Sequence, residues 1–154
     1  MVIEGDLLGL EPHGIYLDLK ALEAGVALSM RETSPAGSTF DTVERRDLIA
    51  RLEGDLGLYR GEFIEGFSVE DAPEFELWVE GERTRWKRVF EELCVRLSRL
   101  QSEAAQLDEA KATARVWVRH SPLEEGAHRR LMELFSSAGE SEGALMVYEG
   151  YRTL

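Results

Sequence analysis

From Asp18 onward the apolar side chains recur at helical spacing. Leu19, Leu22, Val26 and Met30, following an Asp suited to capping, predict a first helix over 18–30. The Ser34–Thr39 stretch, SPAGST, is loop chemistry. Asp41 or Thr42 then opens a second helix, with Val43, Leu48, Leu52 and Leu56 on its apolar face and an end near Leu58. Between Tyr59 and Ala72, glycines and acids are interrupted by Phe63, Ile64 and Phe67, which reads as a structured loop pinned by its apolar side chains. Pro73 suits a first helical turn, Glu74 and Glu76 complement its dipole, and the spacing from Phe75 through Trp78, Val79, Trp86, Phe90, Leu93, Leu97 and Leu100 predicts one long helix. Three more helices follow over 108–120, 122–137 and 141–154, punctuated by Pro122 and Gly139. Before Asp18 the pattern differs, with short apolar runs broken by Gly5, Gly9, Pro12 and Gly14 that predict two extended pieces around a turn. An isolated hairpin is marginal in water, so this opening reads as the trailing edge of something upstream or as a strand pair packed on the helices. The expected architecture is all-α, about six helices over 18–154, after a short extended or β-hairpin segment over 1–17.

One internal offset is self-similar. Ala110 and Ala144 are 34 residues apart, as are Leu97 and Leu131, and 34 is the tetratricopeptide period. In that two-helix unit a small residue lets the helices approach, a large apolar residue fills the groove, and a proline closes the unit. Leu131, Phe135, Gly139, Ala144 and Tyr148 supply those types in the later unit. The earlier unit keeps Leu97, Ala110 and Pro122 but has Gln101 where an aromatic is expected and Ala105 in place of the turn glycine. A plain helical bundle is the alternative, and the placement of Gly139 and Pro122 favours stacked hairpins.

Charge narrows the function. Eighteen basic residues against 30 acidic among 154 give a net charge of −12, which repels phosphate and argues against direct binding of nucleic acid or an anionic membrane. The first residues lack a basic start, and no run reaches the roughly 18 apolar residues of a membrane span. Cys94, the single cysteine, sits among Leu93, Val95 and Leu97 and reads as a packed thiol. A cytoplasmic protein is expected.

Four segments resemble the bacterial transcriptional activator domain of antibiotic-pathway regulators and related proteins. GIYLDLKALEAGV at 14–26 is similar to the family's strand running into an Asp-led helix, and LYRGEFIEGF at 58–67 to its Leu-Tyr-x-Gly turn, with Ile64 where Leu is usual. Trp78 followed by Glu82 and Arg83 resembles the opening of the family's long third helix. HSPLEEGAHRRLMELFSSAGESEGALMVYEGYRTL at 120–154 resembles its closing repeat. On this resemblance residues 1–17 are expected to represent the last strands of the winged helix-turn-helix that usually precedes the domain, and the family's final helix or two are expected to fall beyond Leu154. The resemblance implies a regulatory domain that works by contact with a protein partner or by self-association, the partner being the transcription machinery or an attached DNA-binding domain. A free-standing tetratricopeptide-type adaptor that binds peptides is the alternative.

Candidate chemistry is sparse. No phosphate-cradling or nucleophile-elbow motif occurs, and no catalytic residue, cofactor or metal site is expected. His120, Glu124 and His128 have metal-ligand spacing on a continuous helix, but Pro122 interrupts it, and His128 is expected to pack between helices. The acids Glu62, Glu65, Glu70, Asp71, Glu74 and Glu76 read as a solvated helix start in preference to a docking surface. The basic run at 83–88 reads as a solvated face, and Trp78, Trp86 and Trp117 as core. Should that region bind a partner, Trp78, Arg83, Arg85 and Arg88 are the candidate surface.

Overall fold

A computed structural model of the chain describes residues 2–4, 7–9, 18–32 and 42–154. Six helices make the architecture all-α: α1 (Asp18–Glu32), α2 (Thr42–Leu56), α3 (Pro73–Glu103), α4 (Leu107–His120), α5 (Glu125–Ser137) and α6 (Ser141–Arg152). Ahead of them the backbones of β1 (Val2–Glu4) and β2 (Leu7–Gly9) pair antiparallel, with Ile3 opposite Leu8. The rest of the expected extended segment, the SPAGST loop and Asp41 as a helix opener lie outside the described residues.

Consecutive helices pack as hairpins, α1 on α2, α3 on α4 and α5 on α6, and the hairpins join through α3 against α1 and α2, and α4 against α5. Burial follows that order. Leu22, Val26, Leu48, Ile49, Leu52, Leu93, Leu97 and Leu100 close the first junction. Phe90, Cys94, Trp117 and Ala127 bring α3, α4 and α5 together, and Ala110, Ala114, Leu131 and Leu134 join α4 to α5. Each cluster lies between sequence-adjacent elements, the arrangement of a helical-repeat domain.

The 34-residue period is written in the backbone. At the end of α3, Ala104 N–H donates to Leu100 O (3.0 Å), Ala105 N–H to Ser102 O (3.1 Å) and Gln106 N–H to Gln101 O (2.8 Å). At the end of α5, Ala138 donates to Leu134 (3.1 Å), Gly139 to Ser136 (3.0 Å) and Glu140 to Phe135 (2.9 Å). Each bond in the second set lies 34 residues after its counterpart. Both are Schellman closures, which require a left-handed residue just past the helix end, and Ala105 (φ +59°) and Gly139 (φ +76°) supply it.

Some expected apolar positions face outward. Met30 and Val43 are exposed, while Ser29 is buried on α1 with its hydroxyl donated to Val26 O (2.7 Å). Helix α5 begins at Glu125 instead of residue 122. Pro122 holds Ser121 in non-helical geometry, and the Glu124 carboxylate accepts Gly126 N–H (3.3 Å), placing the cap two residues beyond the proline.

Candidate interaction surfaces

Between α2 and α3 the chain builds a shoulder from aromatic side chains. Phe63 meets Trp78 edge-on (centroids 5.7 Å), Trp78 lies against Phe75 (5.6 Å), and Phe75 against Phe67 (5.9 Å). Polar contacts of Arg83 and Glu76 hold the loop in shape. Arg83 Nε donates to Phe63 O (3.2 Å) while its Nη1 pairs with Glu80 (2.6 Å), and Val69 N–H donates to Glu76 Oε1 (2.8 Å). The loop carries two non-glycine residues with left-handed backbone, Ile64 (φ +41°) and Asp71 (φ +57°). For a β-branched residue such as Ile64 that conformation is a genuine outlier, sustained by its surroundings.

The expectation that Trp78 is core is corrected here: it is 51% exposed, beside Leu77 at 78% and Phe67 at 53%. Val79, the next residue along α3, is fully buried, so Trp78 stands on the outward side of that turn. Trp86 and Trp117 are buried, Trp86 with its indole N–H on Glu82 (2.9 Å).

The four residues of the candidate surface differ in what they touch. Arg83 turns inward to the loop carbonyls. Arg85 ion-pairs with Glu23 on α1 and with Glu82 (3.5 Å), its guanidinium 4.8 Å from the Trp86 ring centre. Arg88 is exposed. The basic run is therefore spent largely on holding α3 to its surroundings, and Trp78 remains exposed.

The repeat positions form two tiers. Leu97 and Ala110 are fully buried and Leu131 nearly so, while Pro122 is exposed in the turn before α5. Phe135 lies against α6 so closely that a Cβ on Gly143 would stand 2.5 Å from its ring, and Arg115 covers it at 5.3 Å. Ala144 is half-buried, but Tyr148 is 49% exposed, and α6 has no buried residue. Sequence reasoning passed over three polar ties. Gln101, buried in the repeat groove, donates to Glu53 (2.9 Å) and accepts from Thr113 (2.8 Å). Arg130 of α5 donates to Ser98 Oγ (3.2 Å) and O (3.0 Å) on α3, and Lys111 bridges Asp108 (2.8 Å) and Glu140 (2.6 Å). Long polar side chains at apolar spacing were the available signal.

His120 ends α4 against Tyr59 and Phe90 (5.2 and 5.3 Å), where burial and then Arg119 hold its pKa below the ordinary value. Glu124 caps α5. His128 is buried between helices, stacked on Tyr151 of α6 (4.4 Å) with Nε2 2.8 Å from Pro122 O. No group of three His, Cys, Asp or Glu among the described residues, the His120, Glu124 and His128 trio included, could hold a metal. Burial raises the Cys94 thiol well above its ordinary pKa, which removes thiolate reactivity near neutral pH.

Stacked hairpins with matched left-handed turns define a tetratricopeptide-like helical-repeat domain. The sequence profile of the bacterial transcriptional activator domain matches residues 17–154, and the chain belongs to that family, whose members are domains of transcription regulators. No curated protein and no solved structure matches it. No helix among the described residues is long and apolar enough to cross a membrane.

Proposed function

We propose that this chain is the contact-making part of a bacterial transcription regulator, working in the cytoplasm by binding protein, with no catalysis and no nucleic-acid contact of its own. The observation that carries the reading is the cluster of large apolar side chains left exposed on a well-packed frame. Phe67, Leu77 and Trp78 are contiguous through their ring contacts and chain neighbours, unlike the scattered exposed apolar residues common on any surface. The net charge of −12 supports protein over DNA as the partner.

Fusing the 154-residue chain to an unrelated DNA-binding domain and measuring a reporter in bacterial cells tests the proposal. Transcription should change relative to the DNA-binding domain alone. An inert fusion that is folded and DNA-bound overturns it, and leaves the adaptor reading in its place.

A further inference from the structure

We propose that the aromatic shoulder built by Phe67, Leu77 and Trp78 docks a basic amphipathic segment of a protein partner, with apolar side chains seated on the rings and Lys or Arg side chains against the surrounding acids. This rests on the contact-making reading and adds the place and the partner's chemistry.

The commitment to a basic partner comes from charge. Residues 60–82 contain eight acids (Glu62, Glu65, Glu70, Asp71, Glu74, Glu76, Glu80 and Glu82) and one base, Arg60, so this short stretch carries more than half of the chain's net negative charge. Arg83 engages Glu80 and approaches Glu62 (4.0 Å), and Glu82 is taken by Arg85. Glu65, Glu70, Asp71 and Glu74 have no ion-pair partner among the described residues. Exposed apolar side chains carried on a stretch with unneutralised acids are complementary to a segment of apolar and basic residues, in which the charges steer encounter and the apolar side chains hold the complex. The same charge disfavours the other occupants. A shoulder-to-shoulder dimer would bring two strongly acidic stretches together, and nucleic acid would be repelled. The rings are held ready: Arg83 fixes the loop carbonyl of Phe63 and Glu76 fixes Val69, so little ordering remains to be done on binding.

Two designed amphipathic peptides test this, sharing one face of Leu and Trp and differing in carrying Lys and Arg, or Glu and Asp, on the other. Binding to the full 154-residue chain is followed by fluorescence anisotropy of a labelled peptide. The basic peptide should bind at least about tenfold tighter than the acidic one, and Trp78→Ala and the pair Glu70→Lys/Glu74→Lys should each weaken it by about tenfold. Glu109→Lys/Glu142→Lys makes the same charge change on exposed positions of α4 and α6, and should alter binding less than about twofold. Equal binding of the two peptides overturns the proposal, as does an equal effect of the control pair. A dimer in sedimentation that Trp78→Ala abolishes overturns it in favour of a second copy. In the reporter assay, undiminished output from the shoulder variants defeats this proposal alone, whereas an inert wild-type fusion defeats the contact reading.

Discussion

In the inner hairpin, α3 and α4, Ala105 stands at the bend and Gln101 in the groove; in the outer hairpin, α5 and α6, the same places hold Gly139 and Phe135. The closing hydrogen bonds agree bond for bond, so the backbone repeat survives the exchange of an aromatic for a polar side chain. The neighbours explain it. Gln101 is satisfied by Glu53 from α2 and Thr113 from α4, partners that exist because the inner hairpin is packed on both sides. Phe135 has α4 and α6 alone and lies on the bare backbone of Gly143. The second difference lies one helix further on. Ala114 is buried under α5, whereas Tyr148, 34 residues later, has no described element over it.

The largest expected contrast sets those tiers against each other. Leu97→Ala removes a fully buried side chain at the junction of the first two hairpins and should cost about 2–5 kcal/mol in urea unfolding. Tyr148→Ala should fall within about 0.5 kcal/mol, the range of surface changes. A Tyr148→Ala cost comparable with that of Leu97→Ala would show that α6 is buried in solution.

Gln101→Ala comes next. It leaves the buried Thr113 hydroxyl without its acceptor, while the exposed Glu53 carboxylate turns to water, and should cost about 1–3 kcal/mol. The double variant Gln101→Ala/Thr113→Val should cost less than the sum of the two single changes, since the second removes a group the first has orphaned. Strict additivity would show that the three side chains do not act as a unit.

Much of the repeat was legible and its deviations were not, for physical reasons that these residues make plain. Helical periods located the helices because apolar side chains must share a face, and Gly139 announced its turn because only glycine adopts positive φ freely. Ala105 adopts the same φ without announcing it, since a Schellman closure imposed by packing overrides a local preference. Gln101 looked like decay of the motif until its partners on α2 and α4 were in place. Trp78 fits the helical period of α3, but the period alone does not say that Val79, and not Trp78, takes the covered side of that turn. The aromatic shoulder needed the fold, because Phe63 and Phe67 meet Phe75 and Trp78 only through the loop's left-handed residues.

The two bends offer a smaller and cleaner test. An L residue in left-handed geometry costs roughly 1–2 kcal/mol, offset in part by glycine's greater loss of chain entropy. Ala105→Gly should therefore stabilise by about 0.5–1 kcal/mol, and Gly139→Ala should destabilise by a similar amount. No heavy atom lies within 4 Å of a Cβ built on Gly139, so that cost is conformational and not steric. The double variant should return close to the wild-type stability. Effects of the same sign at both sites would break the equivalence of the two turns.

The first hairpin supplies the smallest effect, and it depends on pH. Asp55 on α2 presses against Gly25 of α1, where an added Cβ would collide with its carboxylate, and its Oδ2 is buried with no hydrogen-bond partner. Burial raises its pKa above the ordinary 3.8, with Arg51 (3.8 Å) pulling the other way. The folded state thus holds this proton more tightly than the unfolded chain does. The resulting penalty is absent below the ordinary carboxylate value, develops as pH rises through it, and is complete above the raised folded value. Asp55→Asn keeps the shape without the charge, so it should stabilise the protein by less than about 1 kcal/mol at pH 7 and lose that advantage in acid. Thermal unfolding of both proteins from pH 7 down to the ordinary carboxylate range measures it. An advantage that persists unchanged in acid would assign the gain to a new Asn hydrogen bond, and would make this crossing a polar tie like Gln101 instead of a buried charge.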